Sequence, residues 1–240
     1  MLPADFLNCA EAFTDHTPPP PSVRQILDGF FLGNLRDAED TTSLSRNGVT
    51  HIVSIHNNAK PLLQEMTYLC IAASDCSSQN LIQHFKKCIK FIHQCRLHGG
   101  GCLVHWSVSP THVFTYTALC LAGVSRSTTI VVAYLMTVTT YGWEDCLNAV
   151  KAVRSYADPN LGFQQQLQEY EMTLLTEYRL WLQQEFGKNP FNDQDKVGKL
   201  LSERAQKMSL RETQNLWINQ PDTGYILPHK AYGGRSRWTN

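Results

Sequence analysis

A chain of 240 residues has room for one sizeable core with extensions, and its 42% hydrophobic content is ordinary for a globular protein. Lys+Arg and Asp+Glu both number 21, so net charge is near zero and no bulk electrostatic signal favours nucleic acid or an anionic membrane. The longest apolar run, near 129–136, falls far short of a membrane span, and the first residues lack the basic start and long apolar region of a signal peptide.

Residues 1–24 are expected to form a loose arm, because the proline run at 18–21 excludes helix and favours an extended spacer. ILDGFFLGN (26–34) has the alternation and turn glycines of a short strand pair, and RDAEDTTSLSRNG (36–48) reads as a helix ending at Gly48. VTHIVSI (49–55) and YLCIA (68–72) are of strand length. Ile82, Phe85, Ile89, Ile92 and Cys95 recur at helical steps, so 80–97 is read as an amphipathic helix stopped by Gly99–Gly101. GCLVH (101–105) is a buried strand candidate, and 126–142, apolar on nearly every side, a central buried helix. Helices over 143–155 and 161–187 complete the pattern, with Phe163, Tyr170, Tyr178 and Trp181 read as packing residues. Strands that alternate with helices before a helical run predict an α/β fold, a mixed central sheet flanked by helices. From 187 to 240 periodicity fades and a mostly disordered tail is expected. It has a short helix over 199–208, and Trp217, Tyr225 and Trp238 are available to a partner.

Eight cysteines, at 9, 70, 76, 88, 95, 102, 120 and 146, form no C-x-x-C pair, so no metal centre is expected. Cys88 and Cys95 share a helix face and read as core. With no secretory signal, free thiols in a reducing compartment are the expectation.

CLAGVSRS (120–127) carries the chemistry. A cysteine, five residues, an arginine and a serine, followed by a buried helix, suit a loop whose backbone N–H groups turn around one tetrahedral anion. Gly123 permits close approach, the helix points its positive end at the same place, and Arg126 can grip two anion oxygens. The same features lower the Cys120 thiol pKa, and a thiolate beside a phosphate ester points to displacement at phosphorus. The motif is not a nucleotide-binding loop, which needs GxxxxGK[ST].

CLAGVSRSTTIVVAYLM resembles the signature of the small dual-specificity class of protein tyrosine phosphatases. ILDGFFLGN, VTHIVSIH, SDCSSQN, CLVH, GWEDCLNAVKAVRS and DPNLGFQQQLQEYE extend the likeness to the atypical members over about 25–186, which would be the catalytic domain. The resemblance implies a phosphotyrosine-phosphatase-like fold and hydrolysis of phosphotyrosine and phosphoserine/threonine in proteins. It implies Cys120 as nucleophile, Arg126 as the phosphate and transition-state ligand, Ser127 as the hydroxyl that stabilises the departing sulfur, and Asp75 as general acid and base. Leu121, Ala122, Gly123, Val124 and Ser125 would line the phosphate. It implies no cofactor and no metal. Phosphorylated proteins, signalling kinases among them, would be the partners, in cytoplasm and nucleus. The lack of Gly at position 2 excludes N-myristoylation as written, so no membrane anchor is expected.

The chain departs from that pattern once at its centre. Relatives run from the strand's His directly into the cysteine. Here 106–119, fourteen residues, stand between His105 and Cys120. Either GCLVH stays in the sheet and 106–119 bulges at the mouth of the site, or VFTYTAL (113–119) replaces GCLVH as central strand. The second would put Thr115 and Thr117 into a doubly buried strand, which favours the bulge. A nucleophile misaimed by about 1 Å loses on the order of 100-fold in rate, so weakened catalysis, a phosphoprotein-binding module and a scaffold are the readings open at this point.

Overall fold

The computed structural model describes residues 23–106 and 124–218. Strands β1 (Arg24–Leu27) and β2 (Phe30–Asn34) pair antiparallel around Gly29, whose φ of 66° suits glycine alone. β3 (Val49–Ile55), β4 (Thr67–Ile71) and β5 (Gly101–Trp106) join β2 in parallel, giving a five-stranded mixed sheet of order β1-β2-β5-β3-β4.

β5 is the centre of that sheet because both of its faces are apolar. Cys102, Val104 and Trp106 enter the larger core, while Leu103 enters the smaller one with Phe31, Val49, Ile52, Ala38 and Leu44. The smaller core is closed by helices α1 (Leu35–Glu39) and α2 (Thr41–Arg46). The single helix expected over 36–48 is thus two: Asp40 ends the first and accepts from Ser43 N–H at the start of the second.

The larger face is covered by α3 (Ile82–Leu97), α4 (Val124–Val138), α5 (Trp143–Val153), α6 (Leu161–Thr173) and α7 (Leu175–Phe186). α4 is buried along nearly its whole length, as its all-round apolar sequence predicts, and Thr129 and Thr137 return their hydroxyls to the helix's own carbonyls. The long helix expected over 161–187 breaks at Leu174. Phe163 and Tyr170 are fully buried, and Tyr170, Tyr178 and Trp181 form a chain of edge-on rings.

Asp193–Ile218 is helix α8, which contains the short helix expected over 199–208 and corrects the expectation of disorder around it. The anchor of its first turns is ionic. Asp193 is buried and takes both oxygens to Arg96 of α3, at 2.7 and 2.9 Å, while Val197, Leu200 and Leu201 join the larger core. A periodicity reading counts such an aspartate as solvent-facing. The tail aromatics Tyr225 and Trp238 and the arm 1–22 lie outside the described residues, as does the side chain of Trp217. Among the described residues no helix is long and apolar enough to cross a membrane.

Candidate active site at the strand ends

In parallel sheets ligands gather at the carboxyl ends of the strands, and Asp75, Ser125 and Arg126 of the residues singled out by sequence converge there. Arg126 sits in the first turn of α4, where the helix's positive end adds to its charge. Its guanidinium is buried. Nη1 donates to the Ala73 carbonyl (2.7 Å), just past β4, and to Asn57 Oδ1 (3.2 Å), just past β3. Nε stands 3.7 Å from Asp75 Oδ2, an ion pair too long for a hydrogen bond.

Asp75 reaches this position because its loop is tied to α6. Leu81 N–H donates to Gln166 Oε1 (2.7 Å), and Gln166 Nε2 donates to the Gln79 carbonyl (2.8 Å). A Cβ on Gly162 would fall 2.1 Å from the Ser77 carbonyl oxygen, so only glycine lets the helix start approach the loop this closely. Asn160, the N-cap of α6, joins the two halves of the site. Its Oδ1 accepts from Phe163 N–H (3.0 Å), its Nδ2 donates to Asp75 Oδ1 (3.0 Å), and its backbone N–H donates to Ser125 Oγ (2.9 Å).

Burial raises the Asp75 carboxyl above its ordinary range, against the opposing pull of Arg126, Ser125 and Asn160. Burial also lowers the Arg126 pKa, against Asp75. On the other side of the strand ends, His105 is wholly buried opposite Ser54 of β3, with Nδ1 3.2 Å from the Trp106 carbonyl oxygen. Burial pushes His105 down to about 4, so its imidazole is neutral, and burial followed by Arg126 lowers His56, whose ring lies 6.1 Å away.

The structure therefore brings together Asp75, Ser125 and Arg126. Val124 and Ser127 complete the first turn of α4, where Ser127 Oγ donates to the Val124 carbonyl (3.2 Å). Cys120, Leu121, Ala122 and Gly123 lie outside the described residues. GCLVH does occupy the central strand, and Trp106, the first residue of the extra segment, extends it in register with Asn34. The Trp106 ring is buried 4.4 Å from the Arg154 guanidinium, which also stacks on Tyr156. Sequence reasoning missed Asn160 and Asn57. Asn before an amphipathic run signals an N-cap, but no local pattern reveals that the same side chain reaches a loop 85 residues away.

A mixed sheet with an arginine at the head of a buried helix, facing a carboxyl at the strand ends, defines the phosphotyrosine-phosphatase-like class. Residues 30–173 match the dual specificity phosphatase catalytic domain, and the chain belongs to that family. It is 54% identical over 211 residues to dual specificity protein phosphatase 22-A of Danio rerio, covering 88% of this chain and 95% of the relative. Dual specificity protein phosphatase 22 of Homo sapiens is 51% identical over 180 residues, covering 75% and 90%. Among solved structures, DUSP15 superposes with a TM-score of 0.61 at 47% identity, over 70% of this chain and 99% of that one. The human tyrosine phosphatase-like serine/threonine/tyrosine-interacting protein gives 0.57 at 32% identity, over 65% and 99%.

Proposed function

We propose that this protein phosphatase hydrolyses phosphotyrosine and phosphoserine/threonine through a phosphocysteine on Cys120, in a domain over 25–186, and that the segment 106–119 weakens the reaction. The observation that carries the reading is the Asp75–Arg126 pair, a carboxyl with a raised pKa 3.7 Å from a buried guanidinium. Its substrates are phosphorylated proteins, signalling kinases among them.

The Cys120 thiolate attacks phosphorus as the ester P–O bond breaks, and Asp75, protonated, gives its proton to the departing oxygen. Asp75, now a carboxylate, takes a proton from water, which attacks the phosphocysteine. The S–P bond breaks and inorganic phosphate leaves, with Ser127 donating a hydrogen bond to the returning thiolate. Arg126 uses the N–H groups not held by Ala73 and Asn57 to bind the equatorial phosphate oxygens, together with the backbone N–H groups of residues 121–125. The loop and arginine neutralise the phosphate charge, so the steps run without a metal.

A second reading, phosphoprotein binding without turnover, is favoured by Trp106. It occupies the strand position after His105, where relatives place the cysteine. Aryl phosphate hydrolysis by the full chain, Cys120→Ser and a chain lacking 106–119 separates the two. Turnover in the full chain that disappears in Cys120→Ser supports the enzyme, and the deletion then gains on the order of 100-fold. Turnover in the deletion alone supports the binding module or a scaffold, and phosphopeptide affinity of the inactive full chain then separates those two. Inactivity of all three overturns the cysteine chemistry.

A further inference from the structure

Away from the site, three buried thiols lie on the elements α3 and β5 where these pack on each other. Cys88 and Cys95 share the buried face of α3, Cys102 is the second residue of β5, and all three are at most 1% exposed. The turn between the two elements is made by Gly99–Gly101. Gly99 has a φ of 76°, and Gly100 N–H donates to the Cys95 carbonyl (3.0 Å). A Cβ on Gly100 would stand 2.4 Å from Thr50 Oγ1 and 3.1 Å from Cys95 Sγ. Glycine at this point lets the chain fold back tightly enough to lay the start of β5 against Cys95.

Cys95 and Cys102 turn their thiols on each other, with Thr50 Oγ1 3.8 Å from Cys95 Sγ. The two are unlike. The contacts with Cys102 and Thr50 lower the Cys95 pKa against burial, whereas burial holds Cys102 well above the ordinary thiol range. The Thr50 hydroxyl beside Cys95 Sγ can donate to a thiolate there, which makes Cys95 the first to react and Cys102 its partner.

We propose that Cys95 and Cys102 form a dithiol–disulfide couple, oxidised by a hydroperoxide and restored by a thiol reductant, that staples α3 to the central strand. The Cys95 thiolate attacks the peroxide oxygen, the O–O bond breaks, and a sulfenic acid and hydroxide (water, for hydrogen peroxide, once protonated) result. Cys102 sulfur then attacks the sulfenic sulfur, the S–O bond breaks, and its proton leaves with the hydroxyl as a second water. Two thiols are oxidised and one peroxide is reduced. The staple draws the sulfurs to about 2 Å, three residues before His105 on the strand that runs to the site.

The full chain is exposed to graded hydrogen peroxide, alkylated, and digested with trypsin and chymotrypsin, which cleave after Arg96 and Trp106 and so separate Cys102 from both Cys95 and Cys120. Cys76, exposed and with its pKa lowered by Ser74 and Ser78, reports that the dose was effective. The expected product is a Cys95–Cys102 linked pair, lighter by two hydrogens, reversed by dithiothreitol and lost in Cys95→Ser and Cys102→Ser. Recovery of both residues as alkylated thiols at doses that oxidise Cys76 overturns the proposal, as does a link from either to Cys88. Should a serine variant fail to fold, the peptide map of the unmodified chain decides alone.

Discussion

Asp193→Ala tests whether the start of the C-terminal helix is part of the catalytic domain's own core. Arg96 is 3% exposed and Asp193 1%. The guanidinium spends two N–H bonds on Asp193, a third on Tyr134 Oη (2.8 Å) and a fourth on the Asp28 carbonyl (2.8 Å), and its plane lies 4.0 Å from the Phe191 ring centroid. Removing the carboxylate leaves a buried cation with its hydrogen-bond geometry half intact and its counter-charge gone. Truncation of one partner in such a pair costs about 3–5 kcal/mol, or a fall of roughly 6–20 °C in Tm for a domain of this size. The assay is urea unfolding followed by tryptophan fluorescence, with the thermal midpoint as a second measure. Arg96→Met combined with Asp193→Leu separates the charge from the packing. The double variant should recover most of the loss, because an apolar pair of similar volume avoids the desolvation cost. A loss under about 1 kcal/mol in Asp193→Ala, the level of an exposed pair, would refute the burial of this clamp and with it the docking of the first turns of α8.

Three further variants carry the remaining expectations. Asp75→Asn should lower kcat/KM by about 100-fold or more for alkyl phosphates, whose leaving groups need the proton, and less for nitrophenyl phosphate. With Asp75 as the proposed general acid and its pKa raised by burial, kcat/KM should fall as pH rises through that raised value, and the fall should vanish in Asp75→Asn. Asn160→Ala removes a bond that lowers the Asp75 pKa, so the same limb should move to higher pH, while loss of the cap costs about 1 kcal/mol of stability. His93, buried against Tyr134, Phe186 and Phe191, is lowered from 6.5 to about 4 by burial, then Arg96. The unfolded chain takes up its proton first as pH falls. Its contribution is therefore present above pH 6.5 and lost toward pH 4, by about 3 kcal/mol in all. His93→Gln should flatten stability across that window; an unchanged slope between the two chains would place the acid sensitivity elsewhere.

Strands β3 and β5, helix α3 and the buried α4 were legible in the sequence because their apolar periods are carried by many residues at once. The breaks at Asp40 and Leu174 were not. Asp40 is a capping residue inside a polar run whose helical period continues on both sides, and the Leu174 break leaves the apolar period of 161–187 intact. Of α8 only 199–208 was legible, because at its start a charged residue does the anchoring that periodicity assigns to apolar ones. At the site, Arg126 was legible from the loop chemistry of CLAGVSRS, and Asp75 only through the family likeness. The contacts that give them their chemistry, from Ala73, Asn57 and Asn160, join segments far apart in sequence, and no local pattern encodes them.

The interrupted strand sets the last expectation. β5 is held in parallel register on both sides, Leu32 against Val104, Val53 against Val104, and Ser54 against His105. A one-residue slip would send Cys102, Val104 and Trp106 to the smaller core and Leu103 to the larger, and replacement of the strand by 113–119 would break both ladders. The sheet thus keeps GCLVH, and on the proposed reading the extra segment acts on the aim of Cys120 rather than on this strand. Trp106 even adds to the fold, through burial and its stack on Arg154. Deleting 106–119 should therefore raise turnover while lowering stability, by about 1–2 kcal/mol for the lost desolvated cation–π contact alone. Turnover and unfolding midpoint measured on the same two chains give the sign of each change. If both rise together, the segment burdens the whole sheet, and the separation of aim from fold is wrong.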